Sequence, residues 1–160
     1  MATATKNLSE YDKATIPNAK NFRFGIVVSE WNAKITEGLF KGAYGALLDC
    51  GATDENIVRL NVPGSFELTF GSKKMITTQQ VDAVIAIGSV IQGETKHFDF
   101  VCSATAQGIK DLNVLYDTPV IFCVLTDNTM QQAIDRSGGK HGNKGAEAAI
   151  AAIKMAALTT

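Results

Sequence analysis

The sequence predicts an α/β fold, a three-layer sandwich in which a central parallel sheet of about four strands is covered by helices on both faces. Four apolar runs rich in β-branched residues punctuate the chain, and stretches of helical period lie between them. Two of the runs are almost continuously apolar, the pattern of strands covered on both faces. Strand and helix alternate, which calls for right-handed crossovers and a parallel sheet. In such sheets, ligands bind beyond the carboxyl ends of the strands.

The first twenty residues contain Pro17 and do not fit the alternating unit, so residues 1–21 are assigned to an N-terminal arm or added edge strand and residues 22–160 to one domain. The first strand is "F-R-F-G-I-V-V-S", Phe22 to Ser29. A helix then runs from about Ile35 through Leu39, Phe40, Ala43 and Leu47 and stops near "D-C-G", where Gly51 can take the left-handed conformation that ends a helix. The second strand, "N-I-V-R-L-N-V" (Asn56 to Val62), is cut off by Pro63-Gly64, after which Ser65-Phe66-Glu67 open a helix. The third is "D-A-V-I-A-I-G-S-V-I", Asp82 to Ile91. Beyond it Phe98, Val101, Cys102, Thr105, Ile109 and Leu112 fall on one helical face. The fourth strand is "P-V-I-F-C-V-L-T", Pro119 to Thr126, and the alanine-rich "N-K-G-A-E-A-A-I-A-A-I-K-M-A-A-L" is strongly helix-forming.

A chain of 160 residues, 46% of them hydrophobic, suits one domain with a real core. Its net charge of -1, from 15 basic and 16 acidic residues scattered along the chain, gives no footprint for nucleic acid. Cys50, Cys102 and Cys123 form no Cys-x-x-Cys pair and no zinc-ligand spacing, so they read as free thiols in a reducing cytosol, with no metal. The N-terminus lacks an apolar signal core, and no run is long enough to span a bilayer. The expectation is a soluble, cytoplasmic protein that binds neither nucleic acid nor membrane.

The residues just after each strand form four sets: "S-E-W-N", "V-P-G-S-F-E", "Q-G-E-T-K-H" and "T-D-N-T". A parallel sheet gathers them on one rim. Trp31, the only tryptophan, suits a platform for a flat ring or ordinary packing of its loop. Glu67 reads as a first-turn carboxylate answering the helix dipole or as a ligand to something bound at the rim. Gly93 lets the backbone turn, and the amides of Glu94 and Thr95 open the next helix, where free N–H groups attract a phosphate or carboxylate; the Glu94 side chain should then face solvent. His97 follows in the first turn. A neutral imidazole beside a bound phosphate can shuttle protons, although a surface histidine near a helix start has the same sequence signature. The segment "D-R-S-G-G-K-H-G-N-K-G" places Arg136, Lys140 and Lys144 among glycines, which suits an anion-wrapping loop or a flexible connection, and it is not a P-loop.

Taken together, "V-P-G-S-F-E-L", "I-G-S-V-I-Q-G-E-T-K-H-F-D-F-V", "V-I-F-C-V-L-T" and "Q-A-I-D-R-S-G-G-K-H-G-N-K-G-A-E-A-A" resemble, in order and spacing, the signature segments of the lumazine synthase family. The resemblance covers about Phe22 to Leu158. It implies a flavodoxin-like sheet and the condensation of 5-amino-6-(D-ribitylamino)uracil with 3,4-dihydroxy-2-butanone 4-phosphate, with release of phosphate and water and no metal or organic cofactor. By the same resemblance His97 is the proton donor and acceptor, and Glu94, Thr95 and Arg136 hold the phosphate. Trp31 stacks on the pyrimidine, Ser65, Phe66 and Glu67 line the ribityl side, and Ser89, Val90 and Ile91 border the ring. Phe122, Arg136 and Lys144 also belong to the site, with Phe122 and Arg136 reaching it from a neighbouring subunit. The resemblance further implies a homopentamer, a 60-subunit icosahedral shell in view of the short "G-G-K-H-G-N-K-G" turn, and riboflavin synthase as a partner.

The chain departs from the family pattern at Thr69, where proline is common, at Cys123, a frequent glycine, and at Lys154, usually glutamate. Rival readings are a homologue that binds flavin or lumazine without turnover and one whose main role is the shell. A pure flavin binder has no need of a phosphate clamp with a histidine, and a purely structural role leaves the rim residues unexplained.

Overall fold

A computed structural model describes residues 7–158; residues 1–6, in the expected arm, and 159–160 lie outside the described residues. The four apolar runs are strands β1 (Phe24–Ser29), β2 (Ile57–Val62), β3 (Ala83–Ile91) and β4 (Val120–Asp127). They form a parallel sheet in the order β2-β1-β3-β4, the flavodoxin-like arrangement. Order reverses between β1 and β3, which opens a crevice above their carboxyl ends. Helices α1 (Ala33–Asp49) and α5 (Lys144–Ala156) cover one face, and α2 (Leu68–Gln79) and α3 (His97–Leu115) the other. The short α4 (Met130–Arg136) follows β4.

The sheet separates two apolar clusters because alternate side chains of each strand point to opposite faces. Ile26, Val28, Ile85 and Ile87 meet Leu39, Leu47, Ala149 and Ile153 on the α1/α5 side. Val27, Val84 and Ala86 meet Leu68, Met75, Ile109 and Leu112 on the other. β1 is buried throughout, whereas β4, for all its apolar residues, is an edge strand on which Phe122 and Thr126 are exposed. β4 is nevertheless packed on both faces as expected, with Cys123 and Leu125 in one cluster and Val120 and Val124 in the other; only Phe122 and Thr126 stay exposed in the single chain. α1 ends as expected, with Cys50 as its cap and Gly51 at φ +103°.

The arm is stitched to the far end of α1: the Tyr11 hydroxyl donates to Asp49 at 3.0 Å, Lys13 pairs with Asp49 at 3.0 Å, and the Ala19 amide donates to the Cys50 carbonyl at 2.9 Å. Among its described residues there is no strand, only short 3-10 turns. The glycine-rich segment is a hairpin of β5 (Ser137–Gly139) and β6 (Gly142–Asn143), pinned by the arm through Leu8 N–H to His141 O (2.8 Å) and Asn143 N–H to Ser9 Oγ (2.9 Å).

Asn143 also locks the α1–α5 crossing, since its Oδ1 caps Gly145 N–H at 2.8 Å and its Nδ2 donates to Gly38 O at 2.8 Å. A Cβ at Gly145 would lie 1.9 Å from the Leu39 carbonyl oxygen, whereas one at the exposed Gly45 of α1 meets nothing within 4 Å. Gly145→Ala is expected to destabilise the fold by about 2–3 kcal/mol, because backbone must move. Gly45→Ala is expected to stabilise it by about 0.5–1 kcal/mol through helix propensity. Urea midpoints at a fixed protein concentration check both; equal midpoints for the two variants would refute the close crossing.

Candidate active site

The loop after β1 is tied to the end of β2, with Glu30 N–H donating to Val62 O at 2.8 Å and Trp31 N–H to Pro63 O at 3.1 Å. Asn32 takes a left-handed conformation at φ +58°, which asparagine tolerates better than most residues, and its Nδ2 donates to Ser89 O at 2.9 Å. These bonds fix the backbone under Trp31 while leaving its indole 73% exposed, so the ring does not serve to pack its own loop.

After β2 the chain turns through Ser65, Phe66 and Glu67 into α2. Ser65 is anchored from two sides, its carbonyl accepting from Leu68 N–H at 3.2 Å and from the Thr105 hydroxyl of α3 at 3.2 Å. Its side chain sits against Gly88 of β3, where a Cβ would come within 2.6 Å of Ser65 Oγ. Glu67 occupies the cap position of α2 but makes no side-chain capping hydrogen bond.

β3 ends in Ser89, Val90 and Ile91, and α3 begins at His97, slightly later than expected from sequence. Glu94 and Thr95 therefore lie in the bend before the helix, and Thr95 Oγ1 accepts from His97 N–H at 3.4 Å. The hydroxyl substitutes for the missing cap bond, because Lys96 at the cap position supplies none.

These three strand ends and the first turns of α3 enclose an open cleft of about 580 Å³ at the switch in strand order. Trp31, Ser65, Phe66, Glu67, Ser89, Val90, Ile91, Thr95 and His97 all line it. Asn32, Gly64, Phe98 and Val101 line it too, without having been singled out as site residues. Asparagine directly before a helix was the available signal for Asn32. Phe98 and Val101 were read only as part of the apolar face of a helix; they sit in the first turns of α3 and are half-buried. Ser65 and Ser89 are buried with hydroxyl oxygens that have no hydrogen-bond partner among the described residues.

Glu94 is exposed and does not line the cleft, and neither do Phe122, Arg136 or Lys144. Phe122 stands 38% exposed on the edge strand β4. Lys144 opens α5, its Nζ 2.6 Å from Glu147 Oε1. Arg136 ends α4, with Nη1 donating to Gln132 O at 3.0 Å and lying 4.0 Å from Asp127 Oδ1. Burial pushes the Asp127 carboxyl above the usual carboxylate range, and the Arg136 guanidinium partly offsets this. Burial also pushes the Cys123 thiol up to about 12, which keeps it protonated and unreactive beside Phe122. Among the described residues no group of three His, Cys, Asp or Glu side chains is arranged to hold a metal ion, and no helix is long and apolar enough to cross a membrane.

An aromatic-walled cleft at the switch point of a parallel sheet, with one imidazole and one carboxylate inside it, defines a small-molecule enzyme of the acid–base kind. A family profile described as 6,7-dimethyl-8-ribityllumazine synthase matches residues 21–160. Proteins of that name from Flavobacterium johnsoniae, Flavobacterium psychrophilum and Christiangramia forsetii are 76%, 73% and 70% identical over 98%, 99% and 99% of this chain, and the matches cover 82%, 84% and 95% of the relatives. The chain belongs to the 6,7-dimethyl-8-ribityllumazine synthase family, transferases of riboflavin biosynthesis.

Proposed function

We propose that the cleft condenses 5-amino-6-(D-ribitylamino)uracil with 3,4-dihydroxy-2-butanone 4-phosphate to 6,7-dimethyl-8-ribityllumazine. The observation that carries this reading is the meeting of exposed Trp31 and Phe66 with Thr95 and His97 around one opening. The pyrimidine stacks on Trp31 and is bordered by Ser89, Val90 and Ile91, where the unpartnered Ser89 hydroxyl can accept or donate a hydrogen bond. Ser65, Phe66 and Glu67 receive the ribityl chain, whose hydroxyls suit the Glu67 carboxylate left free of capping duty.

The substrate amine attacks the ketone and one water leaves; phosphate is then eliminated, and the ring closes when the ribitylamino nitrogen attacks the carbonyl left by that elimination and a second water leaves. Each step moves protons, and none requires an electron sink beyond the substrates. His97 transfers those protons, while the backbone amides of Glu94 and Thr95, with Arg136, hold the phosphate. Much of the rate comes from keeping two reactants in register.

The separation of Phe122, Arg136 and Lys144 from the cleft of their own chain supports a site completed by a neighbouring subunit. A ring of heterologous contacts supplies such a neighbour to every cleft. We infer a homopentamer, assembled into a 60-subunit icosahedral shell and able to associate with riboflavin synthase, in the cytoplasm. Light scattering or analytical ultracentrifugation distinguishes the pentamer from the shell. Activity is tested by mixing the two substrates with the purified protein: one phosphate is expected per lumazine formed, well above the uncatalysed rate. Lumazine or flavin binding without that acceleration would establish the non-catalytic homologue instead.

A further inference from the structure

We propose that Asp127 is a counter-anion for Arg136, balancing the guanidinium's charge when the phosphate site is empty and opposing retention of phosphate there. The proposal deepens the assignment of Arg136 as a phosphate ligand and rests on it.

Asp127 is the last residue of β4 and only 8% exposed. A buried carboxylate ordinarily needs close, complete hydrogen bonding. Asp127 has much less: among the described residues Oδ2 has no hydrogen-bond partner, and Oδ1 has a single ion pair at 4.0 Å, to Arg136. Arg136 is the charged group whose field acts on this carboxyl, and burial works against its ionised form. The pair is too long for a well-formed structural salt bridge, and its side chains are unequal, about 9% exposed for Asp127 and 37% for Arg136. The anion thus sits behind the cation, and the outer side of the guanidinium remains open to a ligand.

Both partners are held by other means. The Asp127 carbonyl accepts from Gln92 N–H at 2.9 Å, tying it to the segment that leads to Thr95 and His97. Arg136 is held by Gln132 O at 3.0 Å, and Gln132 is fixed in turn by Asn128 N–H at its Oε1 (2.9 Å) and by Thr129 Oγ1 at its own N–H (3.2 Å). With the guanidinium anchored by a neutral carbonyl, Asp127 contributes mainly charge. A phosphate on the outer edge of Arg136 meets that charge a few ångströms behind the cation, and its affinity falls. A reaction that produces inorganic phosphate at each turnover gains from such weakening, because the same arginine that recruits the phosphate ester must let the free anion go.

The test is Asp127→Asn, which preserves shape and removes charge. The KM for the butanone phosphate and the inhibition constant of inorganic phosphate are both expected to fall about 3- to 30-fold, with the KM for the pyrimidine unchanged, because a coupling through charge acts on the anion alone. Calorimetric titration of the assembled protein with inorganic phosphate reads the same shift without relying on turnover. Asp127→Ser, also neutral, should move both constants in the same direction. Constants that stay unchanged or rise in Asp127→Asn, or that move oppositely in the two variants, overturn the proposal. Arg136→Ala separates the two levels of inference. If it leaves the KM for the butanone phosphate unaltered, the assignment of Arg136 fails and the counter-anion with it. If it raises that KM while Asp127→Asn fails to lower it, the counter-anion alone is rejected.

Discussion

His97→Ala is expected to lower turnover by about 10- to 10⁴-fold while changing the KM of either substrate little, the range for loss of a positioned acid–base group. His97 is the first residue of α3, exposed, and in the wall of the cleft. Among the described residues no side chain hydrogen-bonds its ring, so no carboxylate orients it as in a catalytic triad. That arrangement suits a proton carrier serving several steps better than the activator of one nucleophile. The lower end of the range applies if the condensation proceeds readily once the reactants are aligned. Steady-state kinetics with both substrates varied provide the check, and unchanged turnover would remove His97 from the mechanism.

Mixed assemblies of two impaired variants, assayed at low butanone phosphate, should recover activity. On the proposed shared site, His97→Ala spoils the cleft side and Arg136→Ala the side contributed by the adjoining chain. When the two are unfolded together and reassembled as equal random mixtures, about one interface in four joins an intact His97 to an intact Arg136, because each half is independently intact half the time in a ring of heterologous contacts. Such sites should work at the full rate, so the mixture is expected to recover toward about a quarter of the wild-type rate. Activity no higher than the sum of the separately reassembled variants, with mixing demonstrated by native mass spectrometry, would place both groups in one chain's site. The Arg136→Ala variant on its own should raise the requirement for the butanone phosphate and spare that for the pyrimidine, since a charge-assisted contact is lost to one substrate only. Lysine should restore it poorly, lacking the planar fork.

The strands were legible because β-branched residues cluster in runs of strand length, and their starts and ends differ from the sequence reading by only a residue or two. Pro63, Gly93 and Gly51 marked the turns for conformational reasons that hold in any context. The exposure of Phe122 was not legible, because apolar composition describes a side chain and not whether a neighbour covers it. The hairpin of β5 and β6 was missed for a related reason: glycines permit a turn without announcing one, and the arm that pins it lies more than a hundred residues away in sequence. At the site, strand ends alone indicated which segments share the rim. They could not decide whether His97 was a proton carrier or an ordinary surface histidine, and family resemblance supplied the roles that the residue types left open. Asn32 illustrates the limit. It stands at the cap position of α1, yet its amide reaches across to β3, a contact that only the strand order creates.

The two outer edges of the sheet bear on how the chain reaches its assembled form. Parallel pairing joins segments far apart in sequence and therefore forms slowly, and until neighbours arrive each edge presents unpaired backbone groups that can recruit any extended segment. On β2 the exposed Arg59, paired with Glu37 and lying 4.3 Å over the Phe40 ring, puts charge beside the edge and discourages stray pairing. β4 has no charged residue before Asp127 and leaves Phe122 bare, which makes it the more vulnerable edge. On the proposed ring, productive assembly and aggregation compete for as long as these edges are uncovered. Recovery of the protein after denaturation is governed by the ratio of those two rates, however stable the completed fold.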